Sequence, residues 1–153
     1  MIIKNVEPVG LDEGGPGVFE ADFTLSNNII TITSDIGLDS RKNTKSNLHE
    51  YIGQAISLQI ELMKNREKKI CLLNSKTKKI EPHKFIEGRI IGKLIRIAKP
   101  PNSTEIEVYD IFIDCGVIVQ VPSVSDEFQV GDFIHVDGYL KFDNVHFLGF
   151  MEV

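Results

Sequence analysis

Apolar and polar residues alternate along most of this chain. Phe19, Ala21, Phe23 and Leu25 are interleaved with Glu20, Asp22 and Thr24. Ile56, Leu58, Ile60 and Leu62 are interleaved with Ser57, Gln59 and Glu61. Tyr109, Ile111 and Ile113 alternate with Asp110, Phe112 and Asp114. A period of two sends successive side chains to opposite faces, so each run predicts a half-buried strand. Turn signals punctuate the runs: Asn27-Asn28, Gly14 to Gly17, Pro100 to Ser103, and hairpin tips at Lys64 to Lys68 and at Asp143-Asn144. The segment from Asp39 to Tyr51 breaks the pattern. Leu48, Tyr51, Ile52 and Ala55 predict one face of a short helix near residues 46–52, with Ser46 as its N-cap. One amphipathic helix from Ser46 to Lys64 is the competing reading. Gly53 and the strict alternation from Ile56 to Leu62 oppose it.

Written in order, the strands of the two halves match. Ile2 to Val6 corresponds to Ile90 to Leu94, Val18 to Phe23 to Val108 to Ile113, and Ile29 to Thr33 to Val117 to Val121. A connector follows in each half, long from Ser34 to Ile52 and short from Pro122 to Val130. Gly53 to Leu62 then matches Gly131 to Leu140, and Lys69 to Leu73 matches Val145 to Gly149. A shared order of strands, loops and connector points to an internal repeat.

Three strands, a connector and two strands is the order of a five-stranded Greek-key barrel. The run Val130-Gly131-Asp132-Phe133-Ile134-His135-Val136-Asp137-Gly138-Tyr139-Leu140 resembles the fourth strand of nucleic-acid-binding OB-folds. Gly131 suits the turn into that strand, and Gly138 suits the curvature that closes a barrel. The resemblance implies an all-β chain of two tandem OB-like barrels, over residues 1–75 and 85–153, joined by a basic linker at 76–84. The second half departs from the common pattern, because Val121 to Gly131 has no room for a full helix. A single β-sandwich built from both halves is the competing architecture.

Charge changes the picture by its distribution. The chain's net charge is −5, yet Lys64 to Lys99 holds twelve basic residues and three acidic ones. In the repeat this stretch covers the loop between strands four and five, the linker and the first strand of the second barrel. The resemblance makes that loop an oligonucleotide contact, and a basic strip attracts phosphates in a salt-dependent way. The expected nucleic-acid-binding residues are Lys64, Arg66, Lys68, Lys69, Arg89, Lys93 and Arg96, with Phe112 or Tyr139 stacking a base. A solvated hairpin tip and charged linker would produce the same run of lysines. Glu20, Asp22, Asp110 and Asp114 lie on outward strand positions and would repel phosphates there. Phe133, Tyr139, Phe147 and Phe150 read as barrel core or barrel contact.

No phosphate loop, nucleophile elbow or zinc-like spacing is present, so the reading is a non-enzymatic protein with no catalytic residues, metal or cofactor. Cys71 and Cys115 read as small buried hydrophobes. The N-terminus does not read as a secretory signal, and no apolar run nears the roughly 18 residues of a membrane span. The expected location is the cytoplasm and the expected partner single-stranded DNA or RNA, bound with little sequence preference. A protein–protein adaptor is the alternative, and exposed strand edges leave room for self-association.

Overall fold

The computed structural model describes residues 1–11, 18–39, 48–82, 87–99, 107–125 and 127–150. The expected loops at Gly14 to Gly17 and Pro100 to Ser103, and the Ser46 cap, lie outside them. The described residues are all-β apart from one 3₁₀ turn at Leu48–Tyr51, which falls where a short helix was expected. The strands are β1 (Ile2–Leu11), β2 (Val18–Ser26), β3 (Thr31–Asp39), β4 (Ala55–Lys64), β5 (Cys71–Leu73), β6 (Lys79–Pro82), β7 (Glu87–Ala98), β8 (Tyr109–Asp114), β9 (Ile118–Val124) and β10 (Phe133–Gly149). By its contacts the chain forms two compact units: Met1–Leu58 with Asn144–Val153, and Gln59–Asp143.

In the first unit β3, β2 and β1 form an antiparallel meander, and the start of β4 pairs with β1 at Ile2↔Ala55. The Asn27 side chain builds the β2–β3 turn: its Oδ1 accepts from the backbone N–H of Ile29 and Ile30, both at 2.8 Å. Asx side chains stabilise turns in this way, which is why Asn27-Asn28 reads so clearly in the sequence. Ala21, Phe23 and Leu25 are buried with Ile3, Val6, Ile32 and Ile36, as their alternation predicts. The Tyr51 ring lies 5.8 Å from Phe23 and 4.7 Å from Phe147, centroid to centroid.

In the second unit the sheet partly closes in a ring. Its order is β4-β9-β8-β7-β10, and β10 pairs again with β4. Strand directions cannot alternate all the way round a closed ring with an odd number of strands, so one neighbouring pair must be parallel. Here that pair is β4–β9, through Ile60↔Val119 and Glu61↔Gln120. Ile60, Leu62, Ile90, Leu94, Ile111, Ile113, Val119, Val121, Ile134 and Val136 fill the interior. Each such side chain contributes about 1.5–3 kcal/mol of hydrophobic stabilisation before entropy is charged against it. At Gly138 β10 runs close against β4, since a Cβ there would overlap the Met63 carbonyl oxygen. Gly131 has φ +105° in the turn before β10, a conformation that glycine adopts at little cost.

Several expectations are corrected. The Lys64 to Lys68 turn is not a hairpin tip: β5, which follows it, pairs with β10 through Leu72↔Ile134 and its neighbours. No hairpin occurs at Asp143-Asn144 either. β10 runs through it for 17 residues, with Asn144 at φ 51°. Asparagine tolerates this left-handed conformation, so the strand continues through it. Lys79–Pro82, inside the expected linker, is strand β6 and pairs with β7. Cys115 is buried, but Cys71 is exposed on the short β5. Tyr139 and Phe150 are exposed, while Phe133 and Phe147 are half-buried.

Candidate nucleic-acid interface

All nine expected binding residues fall in the second unit. β7 supplies three of them, and its burial pattern explains their direction. Gly88, Ile90, Gly92 and Leu94 are buried, so Arg89 and Lys93 face outward. Continued alternation would turn Arg96 inward. A register shift between Leu94 and Arg96 prevents this: Leu94 pairs with Ile113, and Arg96 pairs with Phe112. The extra residue in β7 restores Arg96 to the outer face. Its guanidinium sits over the Phe112 ring, 5.0 Å from the centroid. Arg96 and Lys93 are exposed and Phe112 is half-buried.

The other residues divide into two groups. Arg66, Lys68 and Lys69 are exposed in the turn after β4, and Lys64 is half-buried at its start with its ammonium 3.4 Å from the Asn65 carbonyl. The turn is tied down by Asn65, whose N–H donates to the Asp137 carbonyl at 2.9 Å and whose Oδ1 accepts from the Glu67 N–H. Lys68 and Tyr139 border one small depression together with Glu87 and Asp137, and the Tyr139 hydroxyl lies 3.5 Å from Glu87. Arg89 stands apart because its charge is engaged. Its Nε donates to Asp137 Oδ1 at 2.8 Å, and His135 lies 3.1 Å from the other oxygen. That hydrogen bond holds the guanidinium's pKa above its ordinary value. Burial opposes ionisation of Asp137, but the hydrogen bonds from Arg89 and His135 outweigh it and keep the carboxyl below the usual range.

Comparison with known protein families, with curated proteins and with solved structures gives no match.

The acidic residues flanking Phe112 are both hydrogen-bonded, and one of them is ion-paired. Asp114 receives the Lys78 ammonium at 2.7 Å and the Gly116 N–H at 3.0 Å. The Lys78 hydrogen bond is the main cause of its lowered pKa. Asp110 accepts from the Ser123 N–H at 3.0 Å and from Gln120 at 3.4 Å. The Lys78–Asp114 pair joins residues far apart in sequence, and no local pattern announces it. Among the described residues no cluster of His, Cys, Asp or Glu could hold a metal ion. No helix among them is long and apolar enough to cross a membrane.

Proposed function

We propose that the second unit is an OB-like barrel that binds single-stranded nucleic acid without strong sequence preference. The architectural support is the strand order. β7, β8 and β9 form a meander and β10 returns beside β7, which is the 4-1-2-3 order of a Greek key. β4 fills the remaining place between β9 and β10, where a fifth strand would go. On this reading β8 and β9 are the second and third strands, the face OB-folds offer to oligonucleotides. The observation that carries the function is the exposed Arg96 guanidinium over Phe112, with Lys93 beside them. A base would stack on this platform while Lys93 meets a phosphate. Asp114, one of the two acidic residues flanking Phe112, has its charge matched by Lys78.

Fluorescence anisotropy with a labelled oligothymidine of about 12 nucleotides tests the reading, a length within the site sizes of single OB folds. Phe112→Ala is expected to weaken binding by about 1–3 kcal/mol, the usual worth of one stacked base. Lys93→Glu with Arg96→Glu is expected to abolish binding at about 150 mM salt and to flatten its salt dependence. Lys68→Glu with Lys69→Glu tests the turn separately. No binding at about 50 mM salt, or binding indifferent to every one of these changes, would sink the proposal.

A further inference from the structure

One end of the second unit carries a feature that nucleic-acid binding leaves unused. An open groove of about 830 Å³ lies among the end of β7, the start of β8 and the connector after β9. Ile97, Ile111 and Phe128 give it an apolar floor. Ile97 is 37% exposed, although it pairs with the buried Ile111 on the inward side of β7. Glu107, Glu127 and Asp132 line the same groove, and the first two are exposed. The Asp132 carboxylate is fixed in place by the Gln129 N–H at 2.9 Å. Lys99 adjoins the groove with its ammonium over the Tyr109 ring at 5.3 Å. That aromatic face already holds a cation, so an incoming basic group would meet the three carboxylates instead.

The chain itself carries a segment of matching chemistry. Arg66, Lys68 and Lys69 are exposed in the turn after β4, against one acid, Glu67. They are followed within a few residues by Leu72, an apolar side chain left 61% exposed on β5. An apolar anchor beside a short basic run is what an acid-lined apolar groove selects. We infer that the groove receives the Arg66 to Leu72 segment of a second copy of this chain. Groove and segment are different surfaces, so the contact is head-to-tail and can build rings or open chains of copies. Leu72 enters over Ile97, Ile111 and Phe128, while the basic residues face Glu107, Glu127 and Asp132. Lys68 and Lys69 then have two competing uses, and nucleic acid on the turn would favour separate copies.

The test is a charge swap read by sedimentation velocity on purified, nucleic-acid-free protein. The wild-type chain is expected to associate with rising concentration at about 50 mM salt and to dissociate as salt screens the contact. Glu107→Lys with Glu127→Lys is expected to stay monomeric, as is Lys68→Glu with Lys69→Glu. Mixing the two variants puts opposite charges face to face again and is expected to restore association. Circular dichroism confirms that each variant is folded. A wild-type chain that remains monomeric at every concentration overturns the inference, as does association that neither variant changes or a mixture that stays monomeric. Oligothymidine binding is measured on the same variants. If Glu107→Lys with Glu127→Lys is monomeric yet still binds oligonucleotide, the two surfaces are separate, and either proposal can fail without the other.

Discussion

In the first unit the residues before β4 end in the turn Leu48–Tyr51, and Tyr51 is only 1% exposed. Its ring packs against Phe23 and Phe147, and its backbone carbonyl accepts from the Gln54 N–H at 3.1 Å. In the second unit the described residues before β10 bury no aromatic ring as a plug in this way. Phe128, the aromatic residue of that connector, is half-buried at the groove where Glu127 and Gln129 lie open to solvent. The internal repeat expected from the sequence would set these two stretches in the same place, before β4 and before β10. The described residues before β4 bury an aromatic ring, and those before β10 leave apolar surface beside carboxylates. A connector that seals its unit belongs to stability, and one that leaves a groove is free to serve binding.

Removing the plug should have the largest effect. Tyr51→Ala is expected to cost the first unit about 3–5 kcal/mol, as for other buried aromatic truncations. Phe128→Ala should cost only about 1 kcal/mol, because less of its ring leaves water. Urea denaturation compares the two, and equal losses would erase the distinction between the connectors. The next contrast concerns how closely each unit's backbone is packed. Gly138→Ala forces a methyl group into the Met63 carbonyl where β10 meets β4, and a cost of about 1–3 kcal/mol is expected. Gly37→Ala, on β3 of the first unit, meets nothing within 4 Å and should be close to neutral. A neutral Gly138→Ala would mean that the ring is looser than its register implies.

Local pattern carried the strands themselves. Ala21-Phe23-Leu25 and Ile111-Ile113 are buried because alternation over six or more residues fixes which face meets the core. The Asn27 turn was legible for the same reason: its hydrogen bonds are made within four residues. Partner choice was not legible. Lys69 to Leu73 follows β4 closely enough to suggest a hairpin, yet Leu72 pairs with Ile134, more than sixty residues on. Asn144 looked like a turn because its type favours one. β10 runs through this left-handed residue without reversing. At the candidate interface, the basic residues were visible as composition. Their separation into the Lys93–Arg96–Phe112 platform, the turn and the engaged Arg89 depends on a register shift and on Asp137, which no local spacing encodes.

Acid tests the second unit through its ion pairs. Asp137 and Asp114 belong to the second unit, and both have pKa values lowered by their partners. A carboxyl with a depressed folded pKa contributes stability that is present above its unfolded pKa, near 4, and lost as pH falls through the folded value. The second unit is therefore expected to lose stability as pH drops from about 5 towards 2, followed by hydrogen exchange of β7 and β10 amides. Asp137→Asn should reduce that acid sensitivity and should cost about 1–3 kcal/mol near neutral pH by leaving Arg89 without its counter-charge. An acid profile unchanged in Asp137→Asn would mean that the pair contributes nothing.

The smallest signal gives the sharpest separation, because both cysteines lie in the second unit. Cys115 is 0% exposed, and burial pushes its thiol up to about 12. The thiolate is the reactive form, so Cys115 should resist a disulfide reagent at neutral pH while the exposed Cys71 reacts at once. In a Cys71→Ser background, the slow reaction of Cys115 then measures opening of the ring alone. Gly138→Ala acts inside the ring and should speed that reaction. Tyr51→Ala removes the plug of the other unit and should change it far less. If Tyr51→Ala exposed Cys115 as readily as Gly138→Ala does, the units would open together. β4 and β10 each contribute residues to both units, and those shared strands would be the cause.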